Sequence, residues 1–410
     1  MPDASIAAAP ETARGMSDLL PAEMERLRAA ERAFIDTCRA WGYREVRTPA
    51  IEPLYLFTAA GTLSPQTLER VYSFFDWDGW SGERVVLRPD STIPVARLYV
   101  RHLAADGPAK LYYSQDVFRF TDDGSARAEW QCGVELLGDC GPASDLELIL
   151  LAREALARAG VGDLTLRLSH AEIARRVLAA AGLASDEQAR AYDRLLDGDA
   201  TVLEEIEARL PELDTPLHLL FDVEGSGGAY LRNIQEALAP AIPGLADVLD
   251  ELATIVAPLE QLGVQPRIQA ALARRFEYYS GVVFRIDAGD RRVAAGGRYD
   301  RLLGLIGGRD VPASGFAVYL GAIAAVSTPS AAATAPRLRV LIDGGARAAV
   351  RAHELARALR SRGRVVETSC SGDAGDTLVR VGDDAFIVRT RGDEQRCPDV
   401  PSAMAALDEV

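Results

Sequence analysis

The chain has 410 residues, with 45 Lys and Arg against 60 Asp and Glu, which gives a formal net charge of −15. At roughly 150 residues per domain, this length predicts two or three domains. Proteins that grip a polyanion usually present a basic surface, so the acidic balance argues against nucleic acid as the main partner. No apolar run approaches the ~18 residues that span a bilayer, and no transmembrane helix is expected.

Cysteine and histidine usage predicts neither a disulfide framework nor a metal site. The five cysteines are widely spaced and form no CxxC pair, which is typical of reduced thiols. The four histidines show no HExxH spacing, and we expect neither a bound metal nor a cofactor. Residues 1–13 lack the basic and apolar regions of a secretory signal, so we expect a flexible N-terminus on a cytoplasmic protein.

The first half of the chain alternates between helical and extended patterns. Residues 22–41 repeat apolar side chains at helical spacing and predict a long amphipathic helix that ends at Gly42. An extended segment with Pro49 and Pro53 follows. Because four strand-like runs then crowd around one helical stretch, the pattern predicts an antiparallel sheet flanked by helices. The strand-like runs are VYSFFDW, RVVLRP, AKLYYSQDVFRF and WQCGVELLG.

The second half divides into an insertion, a return to strands and a separate module. Residues from about 170 to 264 are rich in Ala, Leu, Glu and Arg and predict a helical insertion. Strands return afterwards, and the main domain is expected over residues 14–326. The small and Pro-rich segment 327–336 predicts a linker. Residues 337–410 alternate strand and helix patterns, which predicts a small C-terminal α/β module of undetermined role.

Four segments carry side chains suited to a small zwitterion. An Arg pairs with a carboxylate through a two-pronged fork, and an Asp or Glu accepts from an ammonium group or a ring N–H. If residues 128–135 form a strand, Gln131, Gly133 and Glu135 share one face. These features predict an amino-acid pocket on a sheet, whereas the alternative is an ordinary solvated strand surface. The segments are residues 88–92, 118–135, 273–284 and 294–304.

Several of these stretches follow the same order as in histidyl-tRNA synthetases, and the chain resembles that family over about residues 14–325. The pair RxFEYYxGxVF and GGRYDxLL at this spacing is specific. The resemblance implies an α+β class II synthetase-like domain, in which an antiparallel sheet is flanked by helices and carries a helical insertion. The matching stretches are GMSDLLP (15–21), RTPAIEP (47–53), VVLRPDSTIPVAR (85–97), residues 118–135, FEYYSGVVF (276–284) and GGRYDRLLG (296–304).

Two positions depart from the synthetases' ATP-handling pattern. Synthetases carry Arg-x-Glu where this chain has Arg119, Phe120 and Thr121, and the following loop DDGSAR is acidic, which would repel a triphosphate. Their late GFxxGxER pattern is replaced here by Gly321 and Ala322 at the Glu-Arg positions, which removes a clamp on developing phosphate charge. We therefore expect no amino-acid activation and no catalytic residue.

In these respects the chain is similar to the regulatory subunits of ATP phosphoribosyltransferase. RPDSTIPVAR is similar to that group's RPDxTxxxAR, and FEYY is closer to its spelling than to the synthetases'. The resemblance implies a subunit without activity of its own that joins a short-form catalytic subunit and takes part in feedback inhibition by histidine. It also implies a homodimer contact near residues 22–53, and no tRNA or membrane partner is expected. The alternatives are a divergent histidyl-tRNA synthetase and a paralogue with another duty.

The resemblance further implies a histidine pocket made of eight residues. Asp90 and Thr92 would lie near the amino group of the ligand, and Gln131 and Glu135 on the sheet floor. The remaining members are Arg119, Arg274, Tyr278 and Tyr279.

Within that second group, Arg274 would face the carboxylate of the ligand or the reaction centre. Tyr278 and Tyr279 would lie near the imidazole ring. A second location for the effector stays open, since a regulatory subunit can also bind its effector at a subunit interface.

Overall fold

The structure is a computed structural model of the chain. Contacts between Cα atoms divide it into two compact units, Met1–Thr328 and Pro329–Val410. The residues that the structure describes are 11–60, 71–77, 82–120, 127–138, 141–197, 199, 201–211, 217, 225–269, 278–328, 338–369, 378–389 and 394–408.

The strands in the described part of the first unit form a sheet of nine strands and a sheet of three. Their bounds are β1 (Arg44–Glu45), β2 (Ile51–Pro53), β3 (Ser73–Trp77), β4 (Gly82–Leu87), β5 (Ala109–Phe118), β6 (Ala128–Leu137), β7 (Leu164–His170), β8 (Gly225–Ser226), β9 (Arg267–Ile268), β10 (Val282–Ala288), β11 (Arg291–Arg298) and β12 (Ala313–Tyr319).

The large sheet has the strand order β1-β5-β6-β12-β11-β10-β7-β9-β8. Its central pairs are antiparallel, and only the pairs β1·β5 and β7·β9, near the two edges, run parallel among the described strands. The small sheet pairs β4 with β2 on one side and β3 on the other, both antiparallel. The predicted antiparallel sheet is therefore confirmed, with parallel pairs added near its edges.

Helices lie against the large sheet, as predicted. In addition to the α-helices, Ala104–Asp106 forms a 3-10 turn. The bounds of the α-helices are α1 (Pro21–Ala40), α2 (Leu54–Ala59), α3 (Thr92–His102), α4 (Pro142–Arg158), α5 (Ala171–Ala180), α6 (Ser185–Asp197), α7 (Thr201–Arg209), α8 (Gly227–Leu238), α9 (Leu245–Gln261), α10 (Leu302–Leu305) and α11 (Leu320–Val326).

The first helix shows how the sequence pattern produces the packing. Pro21 fits the first turn of α1, where its missing N–H needs no partner. Leu27 and Phe34 recur at helical spacing and are buried, and such burial stabilises the fold by ~1.5–3 kcal/mol per side chain. Gly42 follows the helix with a φ of 82°, a left-handed conformation that favours glycine. The helix predicted over residues 22–41 therefore forms almost within its predicted bounds.

Opposite faces of the large sheet receive different helices. On one face, the ring of Phe34 in α1 meets Phe316 of β12 edge to face, with centroids 6.3 Å apart. On the other face, Thr92 at the start of α3 donates to Glu135 of β6. Because strand side chains alternate, Glu135 shares its face with Gln131. The candidate binding residues of β6 thus lie on the face that α3 covers.

The second unit is an α/β module with its own buried core. Its described helices are α12 (Ala346–Ser361) and α13 (Val400–Asp408). Its sheet has the order β14-β13-β15-β16-β17, with parallel pairs around β13 and antiparallel pairs beyond β15. The strands are β13 (Leu338–Ile342), β14 (Val366–Ser369), β15 (Leu378–Val381), β16 (Phe386–Arg389) and β17 (Glu394–Cys397). The α/β character of this module is as predicted, and β17 and α13 are additions to the predicted elements.

Some sequence predictions fall partly on residues outside those described. These are the flexible start over residues 1–13, of which 1–10 are not described, and the linker over 327–336, of which 329–336 are not. The proposed domain boundaries stay predictions. Among the described helices, none combines the length and apolar character needed to cross a membrane.

Candidate functional site

A cavity lies on the face of the large sheet that α3 covers. It encloses about 310 Å³ of space, counting the part open to solvent, which suits a small ligand. Its walls combine carboxylate, amide and hydroxyl groups with aromatic rings. Five of the predicted binding residues line it, namely Asp90, Thr92, Gln131, Tyr278 and Tyr279.

Glu135 lies directly behind this lining and is only 1% exposed. Its carboxylate accepts hydrogen bonds from the hydroxyls of Thr92, at 2.8 Å, and Tyr299. Burial raises the pKa of Glu135 to about 8, and the two hydroxyl donors oppose the rise. The carboxyl group is therefore largely protonated near pH 7 when no cation lies beside it.

Two glycines leave the space that this arrangement needs. A Cβ atom at Gly315 would lie 2.0 Å from Oε2 of Glu135, and one at Gly133 would lie 2.2 Å from the Tyr113 hydroxyl. That hydroxyl donates to Oε1 of Gln131 over 3.5 Å. A side chain at either position would displace a polar group from the floor of the cavity.

Asp90 occupies the loop between β4 and α3. Its Oδ1 accepts from the backbone N–H of Ile93 at 3.0 Å, which fixes the carboxylate at the start of the helix. Burial raises the pKa of Asp90, while the Ile93 N–H and the positive charge of Arg119 oppose that rise. The carboxylate is a suitable acceptor for a ligand ammonium group.

Aromatic rings form one wall of the cavity. The Tyr278 ring lies 5.2 Å from that of Tyr279 and 5.6 Å from that of Tyr299, in a T-shaped contact. Burial raises the pKa of Tyr278 and Tyr279 well above its ordinary value, so both hydroxyls stay protonated. Such a wall can hold a flat ring by its faces and donate hydrogen bonds at its rim.

The other predicted residues take different positions. Arg119 lies beside the loop that holds Asp90, where its Nε donates to the carbonyl oxygen of Pro89 at 2.9 Å. Arg274 and residues 122–126 of the acidic DDGSAR loop lie outside the described residues. Gly321 and Ala322 lie in the first turn of α11, directly after Tyr319 of the cavity wall. The substituted late motif is thus adjacent to the cavity.

Sequence reasoning missed three residues of the site. Tyr299 belongs to the GGRYD motif, yet its bond to Glu135 is visible only in the fold. Tyr319 lines the cavity opposite Gln131, with which it pairs between β12 and β6. Tyr113 pairs with Gly133 across β5 and β6, which brings its hydroxyl to Gln131 of the cavity. Knowledge of the strand register would have identified both pairs, Gln131 with Tyr319 and Gly133 with Tyr113.

Within the described ranges, no three His, Cys, Asp or Glu side chains come close enough together to hold an ion. Cys38 and Cys132 are buried, and burial raises the pKa of the Cys132 thiol to about 12. These thiols are packing groups rather than ligands or nucleophiles.

Comparison with known proteins identifies the class and then the family. Residues 15–323 match the family model of histidyl-tRNA synthetase. The solved structure of an ATP phosphoribosyltransferase regulatory subunit/histidyl-tRNA synthetase from Bacillus halodurans covers 91% of this chain and 98% of its own, with a TM-score of 0.77 at 24% identity. This likeness shows the fold, which is that of the class II synthetases.

Sequence relatives narrow the assignment. The ATP phosphoribosyltransferase regulatory subunit of Dehalococcoides mccartyi is 48% identical over 308 residues, which cover 75% of each chain. The histidine–tRNA ligase of Archaeoglobus fulgidus is 33% identical over 323 residues, which cover 75% of this chain and 74% of that one. The chain belongs to the histidyl-tRNA synthetase-like family of ATP phosphoribosyltransferase regulatory subunits. The expectation of a regulatory subunit rather than an enzyme agrees with the name of the Dehalococcoides mccartyi relative.

Proposed function

We propose that the chain activates a short-form ATP phosphoribosyltransferase catalytic subunit in a cytoplasmic hetero-oligomer and transmits feedback inhibition by histidine in the first step of histidine biosynthesis. One observation carries the proposal. A polar cavity with an aromatic wall is present, while the two ATP-handling positions of the sequence hold Phe120–Thr121 and Gly321–Ala322. A protein that retains an amino-acid pocket without the clamp for ATP is suited to sensing rather than to activating the amino acid.

The polarity of the cavity supports histidine as the effector. Asp90 offers an acceptor for the ammonium group, and Glu135 holds from behind the Thr92 hydroxyl that lines the cavity. The Tyr278 and Tyr279 rings supply flat surfaces for an imidazole. Arg274 is proposed, from the family resemblance alone, to act near the ligand carboxylate.

The decisive experiment measures phosphoribosyl transfer by a short-form catalytic subunit. We expect low activity alone, higher activity when this chain is added, and loss of that gain when histidine is present. An unchanged rate in all three conditions would overturn the proposal. Adding the chain with Glu135→Ala locates the effector, since histidine sensitivity is lost if the cavity binds it and kept if a subunit interface does.

A divergent synthetase is the second candidate, favoured by the similarity to a histidine–tRNA ligase over three quarters of the chain. It predicts histidine-dependent exchange of pyrophosphate into ATP and binding of tRNA. Our proposal predicts neither, because the positions that would clamp the triphosphate are substituted.

A homodimer that uses the region of residues 22–53 completes the proposal. Ile51 in that region and Tyr55 just beyond it are exposed apolar side chains, which often mark a protein contact. Sedimentation of the purified chain tests this part independently of activity.

A further inference from the structure

The sheet of the second unit has both of its described helices on one face. Val340, Val379 and Val388 pair with one another across β13, β15 and β16, and all three are buried on that face. The helices α12 and α13 cover it, since their buried side chains, among them Leu355 and Met404, belong to the same apolar core. The described helices therefore form one layer on one side of this sheet.

The opposite face of this sheet receives no helix among the described residues. Because side chains alternate along a strand, the residues between the buried valines point to this second face. Leu341, Arg380, Ile387 and Arg396 form one row across it, and each is half-buried or exposed. Parallel strands such as β13 and β15 usually occur in sheets that are covered on both faces. We call this row, together with the row of ion pairs beside it, the open face.

The row of ion pairs joins neighbouring strands at the two ends of the open face. Glu367 of β14 lies 3.6 Å from Arg339 of β13, and Glu394 of β17 lies 2.5 Å from Arg389 of β16. Each glutamate is directly opposite its arginine in the strand register. These two carboxylates are thus balanced within their own row.

The other row makes the open face basic. Arg380 and Arg396 flank Ile387, and no acidic residue belongs to this row of described side chains. In total the open face carries four arginines against two glutamates, an excess of two positive charges.

The rest of the chain has the opposite charge balance. Residues 329–410 contain 12 Arg and 12 Asp or Glu, so the whole excess of −15 falls in residues 1–328. An acidic protein surface is therefore repelled by the first unit and attracted to the open face, which favours one docking position over the others.

We propose that the open face docks an acidic surface of the catalytic subunit, with apolar side chains at the centre of the contact. The inference rests on the proposed function, because it names a contact surface for the same partner. Arginine suits such a contact, since its guanidinium binds carboxylates in two-pronged pairs and its stem packs on apolar groups. Leu341 and Ile387 supply the apolar centre. Nucleic acid fits this face less well, because single strands are bound by stacking on aromatic rings, and this row offers aliphatic side chains instead.

The test measures binding of the full chain to a short-form catalytic subunit by calorimetry, at low and at high salt. The double variant Arg389→Glu and Arg396→Glu is expected to weaken binding by about tenfold or more and to reduce its dependence on salt. Arg396→Glu alone repeats the test with one change at an exposed side chain. Arg347→Glu and Arg357→Glu, two exposed residues of α12, form the control variant with the same change of net charge and should leave the affinity within about twofold. Circular dichroism checks that every variant is folded.

The remaining outcomes each overturn the inference. Equal losses in the two double variants would show an effect of net charge, and unchanged binding in the open-face variants would place the contact elsewhere. Both results leave the proposed function standing, provided that the wild-type chain still activates the catalytic subunit. Binding of a single-stranded RNA oligonucleotide that is lost in the open-face variants, with unchanged binding of the catalytic subunit, would assign the face to nucleic acid. A wild-type chain that neither binds nor activates the catalytic subunit would overturn the proposed function together with the docking surface.

Discussion

Glu135 combines near-complete burial with hydrogen bonds from two neutral hydroxyl donors, Thr92 and Tyr299. A charged carboxylate in such a place is costly, since two neutral hydrogen bonds replace only part of its hydration. The carboxyl group can therefore hold a proton in the free chain and release it when a ligand with a cationic or N–H group binds. The protonation state of Glu135 thus depends on the residues around it.

The raised pKa of Glu135 predicts a pH dependence of stability. The folded chain holds the proton up to about pH 8, whereas an unfolded glutamate loses it near ~4.3. Between these values the folded state binds more protons, so stability is highest below the unfolded pKa and falls as pH rises, by at most ~1.4 kcal/mol per pH unit. Glu135→Gln should lose this component of the slope. Urea unfolding at several pH values measures it, and parallel curves for both chains would contradict the prediction.

Gly315 gives a second prediction at the residue scale. A methyl group there would meet the Glu135 carboxylate and the backbone carbonyl of Val134, so we expect Gly315→Ala to destabilise the chain by ~1–3 kcal/mol. Histidine binding should weaken as well, because the floor of the cavity shifts. Gly321→Ala is the matched control, since nothing lies within 4 Å of its Cβ position. Equal effects of the two substitutions in unfolding and calorimetry would argue against the crowded floor.

At the element scale, Arg298 of β11 joins two helices to the large sheet. It donates to Asp145 of α4 and to Glu251 of α9, and it is largely buried. Nε2 of His170, at the end of β7, lies 3.4 Å from the Glu251 carboxylate. The proximity of His170 and the charge of Arg298 together lower the pKa of Glu251 to about 2, and burial opposes this change. The helix α9 is thus fixed to the sheet by ionic contacts as well as by apolar packing.

Replacement of Arg298 tests how strongly these ionic contacts stabilise the fold. We expect Arg298→Met to destabilise the chain by ~3–5 kcal/mol, because Asp145 stays buried without its cation. Arg190→Met, which breaks an exposed pair with Asp186 on α6, should leave stability nearly unchanged. Chemical unfolding of both variants measures the contrast. A small effect of Arg298→Met would mean that water replaces the guanidinium.

Elements were more predictable from the sequence than contacts were. The long helix α1 follows from its spacing of apolar residues and from Gly42, because both signals are local. The pairing of β6 with β12 carries no local signal, and motif order supplied the fold instead. The binding residues were named from the resemblance, and Tyr299 was not among them. Its bond to Glu135 depends on a register that brings distant strands together.

At the scale of the whole molecule, assembly is the property most open to test. Exposed aromatic side chains gather on the small sheet and α2, where Phe75 and Trp77 are each 68% exposed and Tyr55 is 65% exposed. Phe75 and Trp77 share one face of β3 because strand side chains alternate. Because β4 joins β3 to β2, at the end of the proposed contact region 22–53, we expect this patch to extend the proposed contact with a second copy of the chain.

The double substitution Phe75→Ser and Trp77→Ser should convert the dimer to a monomer without lowering the free energy of unfolding of the subunit. Both side chains are largely in solvent, so the fold does not depend on them. Sedimentation velocity measures the change. Leu262→Ser, an exposed apolar residue after α9, serves as the control and should leave the dimer intact. A double variant that still sediments as a dimer would place the contact elsewhere.

The pairing of β6 with β12 has a consequence for the synthesis of the chain on the ribosome. Gln131 pairs with Tyr319, which lies far from it in the sequence, so the cavity floor closes a very long loop. A nascent chain emerging from the ribosome cannot complete this floor before β12 has left the exit tunnel. Pairings of such high contact order also form slowly. Completion of the cavity is therefore a late event in the synthesis of each subunit, and a translation product that stops before residue 313 lacks β12, which forms part of the cavity wall.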